Sequence, residues 1–198
     1  GALRSFLELH NNYFQEIEDA VTHFNKRYIP ENIERPFAAS VLQQLLEDQF
    51  GYHIVENGLE GFPEMRNLRS VFIPEKKALL LNKNLSEMQR SFQFGKELGF
   101  NFLELKERAN TSSLLRSRVF EEVLNHSRAT YFSVALHMPL QHIVADIEEF
   151  FSGTAWDPNA FLAIMQKYRA TPEMFYHRLT NILPEFFGLT KIFFLRFR

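Results

Sequence analysis

The most informative part of this sequence for its fold is Ser86-Glu-Met-Gln-Arg-Ser-Phe-Gln-Phe-Gly-Lys-Glu-Leu-Gly-Phe100. It begins with the pattern of a capping box, in which the Ser86 side chain accepts from the amide of Gln89 while the Gln89 side chain reaches back to the amide of Ser86. Apolar residues then recur at steps of three and four. We therefore predict a helix over residues 87–105.

Three short segments before this helix have the composition of strands. Residues 52–56, 68–73 and 78–81 are apolar or β-branched, and glycines, Pro63 and the turn at residues 74–77 separate them. We predict that they form a small three-stranded antiparallel sheet packed on the helices.

Helices are predicted on both sides of this region. Apolar residues recur at helical spacing over residues 3–28, 36–50, 113–136 and 140–151. Asp157-Pro158 and Thr171-Pro172 each place a capping side chain before a proline at the first helical position. Residues 189–197 are dense enough in apolar side chains for a terminal strand. The predicted fold class is mostly helical α+β.

Composition excludes several kinds of chemistry. The 198 residues include no cysteine, which removes disulfides, thiolate zinc sites, iron–sulfur clusters and a thiol nucleophile. Lys and Arg number 22 against 24 Asp and Glu, and this balance argues against binding of nucleic acid through an overall field. No apolar run is long enough for a membrane span and no signal-peptide pattern is present, so we expect a cytoplasmic protein without a membrane partner.

The order of elements, with Lys-Glu-Leu-Gly-Phe at residues 96–100, resembles the ImmA/IrrE family of metallopeptidase-like domains. In that family the helix carries His-Glu-x-x-His, whose histidines hold zinc while the glutamate acts as general base. Residues 126–139, His-Ser-Arg-Ala-Thr-Tyr-Phe-Ser-Val-Ala-Leu-His-Met-Pro, are similar to the later family segment that supplies a glutamate ligand. The resemblance implies a zincin-like fold.

The residues at all three ligand positions of the family are changed in this chain. Lys96 stands where the first histidine belongs, Phe100 where the second belongs, and His126 where the glutamate belongs, whereas Glu97 is kept. A protonated lysine repels a divalent cation, and phenylalanine has no lone pair to offer. We therefore predict a degenerate, non-catalytic domain without a metal or other cofactor, with an active metallopeptidase as a less favoured alternative.

Two further stretches are similar to the acyl-sensing branch of this family. They are Thr-Pro-Glu-Met-Phe-Tyr-His-Arg-Leu at residues 171–179 and Phe-Phe-Leu-Arg-Phe at residues 193–197. That branch consists of cytoplasmic Xre-type transcriptional regulators described as short-chain fatty acyl regulators. The resemblance implies that DNA is bound by an N-terminal helix-turn-helix domain missing from this fragment. The expected parts here are a connecting helix at 1–30, the peptidase-like domain at 31–139 and a helical region ending in a strand at 140–198.

The candidate ligand site is the former active-site cleft. We expect a small apolar ligand there, such as a fatty acyl chain or an acyl thioester, beside Phe100. Glu97 paired with His126 would anchor a polar head group, Arg90 could meet a carboxylate or phosphate, and Lys96 would be a neighbour. Two questions stay open, namely whether Phe100 instead fills the cleft and whether Lys96 and Glu97 are solvated.

Other functions also stay open at this point. A protein–protein interaction module could use the old cleft or the first helix as its docking surface, and that helix could form a homodimer. The 22 phenylalanines are an unusual excess, and we expect most of them to fill the core.

Overall fold

A computed structural model describes residues 1–109, 119–153 and 155–189, and the described part confirms the mostly helical α+β class. Its eight α-helices are α1 (Ala2–Leu9), α2 (Gln15–Tyr28), α3 (Ala39–Phe50), α4 (Glu87–Phe102), α5 (Phe120–His137), α6 (Leu140–Ser152), α7 (Pro158–Lys167) and α8 (Pro172–Phe187). Its strands are β1 (His53–Val55), β2 (Ser70–Ile73) and β3 (Ala78–Leu81), and 3₁₀ turns lie at Pro63–Met65 and Pro74–Lys76.

The described residues group into two compact units. The central unit is Phe37–Ser133 and holds the sheet, α3, α4 and most of α5. The terminal unit combines Gly1–Pro36 with the described residues from Val134 onward. None of the helices in the described residues is both long and apolar enough to cross a membrane.

The sheet is mixed, so the prediction of an antiparallel sheet is wrong for one of its two strand pairs. The strand order is β1-β3-β2, with all four residues of β3 buried at the centre. Strand β2 pairs antiparallel with β3, whereas β1 pairs parallel with it, His53 lying opposite Ala78. Strand β2 and its flanking turns intervene between β1 and β3, so no tight hairpin forces these two strands to run in opposite directions.

Helix α4 begins with the predicted capping box. The Ser86 hydroxyl accepts from the Gln89 amide at 3.2 Å, and the Gln89 side chain accepts from the Ser86 amide at 2.9 Å. The helix ends at Phe102, three residues earlier than predicted, because Glu104 adopts a left-handed φ of 53° that stops the helix.

The predicted helix over residues 3–28 is instead two helices, α1 and α2. Asn11 and Asn12 between them have φ values of 55° and 54°. Asparagine tolerates this left-handed conformation better than most residues, so the chain turns here although the apolar spacing continues. Helix α3 also begins later than predicted, at Ala39, whose amide donates to the Glu87 carboxylate at 2.7 Å.

The remaining helices agree with their predicted positions. Asp157 caps α7 by accepting from the Asn159 amide at 3.0 Å, and Thr171 caps α8 by accepting from the Met174 amide at 3.2 Å. The predicted start of the long helix at residue 113 and the body of the predicted strand at 189–197 lie outside the described residues.

Candidate functional site

The carboxylate of Glu97 is buried inside the central unit, with 1% of the residue exposed. The Arg108 guanidinium donates two hydrogen bonds to it, from Nη1 to Oε1 at 2.7 Å and from Nη2 to Oε2 at 2.9 Å. The Tyr52 hydroxyl donates to Oε1 at 2.7 Å and accepts from the Asn101 side-chain amide at 2.8 Å. Helix α4, the start of strand β1 and the loop after α4 therefore meet at the Glu97 carboxylate.

Two aromatic rings pack against the Arg108 guanidinium. Its Cζ atom lies 3.7 Å from the ring centroid of Phe100 and 4.7 Å from that of Phe72. These distances are well within the range of cation–π interactions, which are stronger where water is excluded. We call Tyr52, Phe72, Glu97, Phe100 and Arg108 the guanidinium cluster.

Burial and the Glu97 carboxylate shift the pKa values of Tyr52 and Arg108. Burial raises the pKa of Tyr52, and the neighbouring Glu97 carboxylate raises it further, so the phenol stays a neutral hydrogen-bond donor. Burial by itself would lower the pKa of Arg108, but attraction and hydrogen bonding to Glu97 outweigh burial and raise it. Arg108 therefore stays a cation and Tyr52 stays neutral beside the Glu97 carboxylate.

The rings of Phe100 and His126 lie near each other in the structure. Their ring centroids lie 6.5 Å apart, and Phe100 is 5% exposed because Arg108 covers one of its faces. The hydrogen bonds to Glu97 come from Arg108 and Tyr52. The pairing of Glu97 with His126 stays a prediction.

Lys96 and Arg90 are also on α4, but they are not members of the guanidinium cluster. The Lys96 ammonium is 5.7 Å from the centroid of the Phe92 ring, which lies one helical turn earlier on α4. Arg90 does meet a carboxylate, but one from its own chain, since it donates to both oxygens of Glu56 at 2.7 Å. Hydrogen bonding from Arg90 lowers the pKa of Glu56. Any role of Arg90 toward a ligand stays a prediction.

Sequence reasoning missed Tyr52, Phe72 and Arg108. Arg108 lies in a polar stretch, and nothing in its local pattern distinguishes it from a surface residue. One signal could have suggested it, because a retained glutamate on a helix without metal ligands needs another cation once it is buried.

The residues at the family's metal-ligand positions do not fit a zinc ion. At these three positions Lys96 offers an ammonium, Phe100 a ring face and His126 a single imidazole, and the neighbouring Glu97 is bound through both oxygens by Arg108. Within residues 1–109, 119–153 and 155–189, no group of three or more His, Cys, Asp or Glu side chains is placed to hold a metal ion.

The fold and the site together define a peptidase-like domain whose glutamate is bound by an arginine. Residues 47–180 match the IrrE N-terminal-like domain, and the chain belongs to that family. This match confirms the family that the residues of α4 and α5 predicted. No curated protein matches the sequence.

The fold is similar to that of a solved structure, a Mycobacterium tuberculosis transcriptional regulator. The TM-score is 0.66 at 19% sequence identity, and the match covers 91% of this chain and 51% of that chain. This chain therefore spans about half the length of the regulator, and at this identity the likeness establishes the shared fold.

Proposed function

We propose that this chain is the non-catalytic sensor part of a transcriptional regulator and responds to a small acyl ligand in the former peptidase cleft. One observation carries this proposal. Glu97, which stands where the family has its general base, is bound through both carboxylate oxygens by Arg108 and also accepts from Tyr52.

This arrangement opposes hydrolysis. A general base must have a lone pair within reach of the proton that it removes, and the Glu97 oxygens are turned toward a guanidinium and a phenol. A peptidase of this class also needs a metal ion to activate water, and the side chains at the family's ligand positions cannot supply the ligands. Both points support a regulatory function for the domain.

The regulator part of the proposal rests on the mycobacterial neighbour, which bears that description and is about twice as long as the matched segment. DNA contact would be made by a further domain of the whole protein, in the cytoplasm and as a homodimer. The net charge of −2 is consistent with a domain that does not itself bind phosphates.

The guanidinium cluster explains how an acyl ligand would be sensed. The Arg108 guanidinium covers one face of the Phe100 ring at 3.7 Å, so an acyl chain that packs on this face must displace Arg108 from it. Ligand entry is then coupled to a rearrangement of the loop that carries Arg108. A ligand with different affinities for the two arrangements shifts the equilibrium between them.

The test measures metal content, peptide cleavage and ligand binding on the same purified chain. We expect less than stoichiometric zinc after incubation with zinc, no cleavage of peptides, and a melting temperature that rises with the chain length of added acyl thioesters, since each buried methylene contributes about 0.8 kcal/mol. One zinc per chain together with cleavage would establish the peptidase alternative. A melting temperature unaffected by every fatty acid and acyl thioester would contradict ligand sensing and favour the interaction module.

A further inference from the structure

The guanidinium cluster has the chemistry of a recognition site. Glu97 presents both carboxylate oxygens in the plane where a guanidinium fork can bind them, and Arg108 does so at 2.7 and 2.9 Å. Tyr52 fixes the carboxylate by donating to Oε1, and Asn101 in turn fixes Tyr52. Glu97 and Tyr52 are thus oriented by hydrogen bonds to each other and to Asn101, in addition to those from Arg108.

The aromatic walls add selectivity for a flat cation. Phe72 comes from β2 and Phe100 from α4, and the guanidinium carbon lies 4.7 and 3.7 Å from their ring centroids. The Phe72 ring is itself stacked on Tyr52 at 4.9 Å. A planar, weakly hydrated guanidinium gains from ring faces and a bidentate carboxylate together, whereas a strongly hydrated ammonium does not match this geometry.

We propose that Tyr52, Phe72, Glu97 and Phe100 form a guanidinium-binding site that the chain fills with its own Arg108. Arg108 is a tethered occupant of this site and supplies the positive charge that a metal ion supplies next to the family's glutamate. Because Arg108 follows the end of α4 by six residues, its occupancy also fixes the loop to the helix. The inference does not depend on the acyl ligand of the proposed function.

The experiment removes the Arg108 guanidinium by substitution and adds a free alkylguanidinium in its place. Arg108→Ala should lower the melting temperature by roughly 10 °C, because it leaves the buried Glu97 carboxylate without its cation. Methylguanidinium or ethylguanidinium should then bind the variant and restore much of the loss, with a stabilisation that grows with the logarithm of concentration. Propylammonium has the same charge and a similar size, and it should restore much less.

Three controls make the comparison specific. Alkylguanidinium should not stabilise the wild-type chain, whose site is filled, nor Arg108→Ala/Glu97→Gln, which lacks the carboxylate. It should not stabilise Arg90→Ala either, although Arg90 also holds a carboxylate bidentately, because the Glu56 partner is largely exposed. If propylammonium restored the melting temperature equally well, the site would recognise only a positive charge, and the proposal would be wrong. It would also be wrong if Arg108→Ala folded and alkylguanidinium did not raise its melting temperature.

A second measurement covers the case in which Arg108→Ala does not fold. In the NMR spectrum of the wild-type chain, the Nε–H signal of Arg108, assigned by its loss in Arg108→Lys, should be shifted upfield by the Phe100 and Phe72 ring currents. An Arg108 Nε–H chemical shift equal to that of exposed arginines would contradict the packing of Arg108 against the Phe100 and Phe72 rings. The acyl-thioester test uses the wild-type chain, so the two proposals fail independently.

Discussion

At the scale of single residues, the chain keeps Glu97 but gives it a new partner. The same carboxylate that would serve a metal-dependent reaction is the acceptor of an internal ion pair with Arg108. This exchange needs a cation that arrives from the loop after α4 and ring faces at Phe72 and Phe100. The surroundings of Glu97 are therefore set by side chains from the neighbouring elements.

Gly99 gives a testable prediction at this scale. A Cβ atom at Gly99 would lie 3.0 Å from Cβ and 3.1 Å from Cγ of Phe132, which is tighter than normal packing. We expect Gly99→Ala to lower the free energy of unfolding by roughly 1–3 kcal/mol, because α4 and α5 must separate slightly to admit the methyl group. Urea denaturation followed by circular dichroism measures this change.

The control for Gly99→Ala is Gly61→Ala. No atom lies within 4 Å of a Cβ at Gly61, so the change should stay within about 0.5 kcal/mol. If the two alanine variants were equally stable, the close approach of α4 to Phe132 would be wrong.

At the scale of elements, a buried ion pair joins three parts of the terminal unit. Arg178 on α8 donates to both oxygens of Glu18 on α2, at 2.6 and 2.8 Å, and its Nε donates to the Met138 carbonyl between α5 and α6 at 2.9 Å. Arg178 is 0% and Glu18 5% exposed. Helices far apart in sequence are thus held by one side chain.

The ion pair gives the second prediction. Arg178→Met should lower the free energy of unfolding by about 3–5 kcal/mol, because it leaves the buried Glu18 carboxylate without its bidentate cation. The double variant Arg178→Met/Glu18→Leu should recover much of this loss, since it removes both charges. Guanidinium chloride denaturation of the single and double variants measures the coupling.

An exposed ion pair provides the matched control for this substitution. Arg4 pairs with Glu8 at 3.0 Å on α1, and both side chains are more than half exposed. Arg4→Met should change the free energy of unfolding by less than about 1 kcal/mol. A double variant of Arg178 and Glu18 that is no more stable than Arg178→Met would contradict the account of the buried pair.

At the scale of the whole molecule, stability should depend on pH through His177. Burial lowers the pKa of His177 from 6.5 to about 4, and the charge of Arg178 contributes in the same direction. Below pH 6.5 the unfolded chain therefore binds a proton at this residue that the folded chain does not bind. The contribution of neutral His177 is complete above pH 6.5 and is lost as the pH falls toward 4.

The third prediction follows from this difference in proton binding. Between about pH 6.5 and 4.5, the wild-type chain should lose roughly 2 kcal/mol more unfolding free energy than His177→Gln. Urea denaturation over a pH series measures this difference in unfolding free energy. The control is His53→Gln, because His53 is exposed on β1. Parallel curves for the wild type and His177→Gln would show that His177 is not buried in its neutral form.

Much of the fold could be predicted because the signals that begin and end helices act over a few residues. The capping box at Ser86, the caps at Asp157 and Thr171, and the prolines after them specify helix starts without reference to the rest of the chain. The same locality explains the errors. The break at Asn11 and Asn12 depends on backbone conformations that apolar spacing does not reveal.

Residue types and short spacings were enough to predict most of the helices, the family, and which residues stand at the family's ligand positions. The tertiary structure decided the parallel pairing of β1 with β3 and the guanidinium cluster. Tyr52 meets Glu97 across 45 residues, and Arg108 reaches it from a loop with no local pattern of its own. Contacts of this kind form because burying Glu97 requires a cation and donors, and the folded chain determines which residues are near enough to provide them.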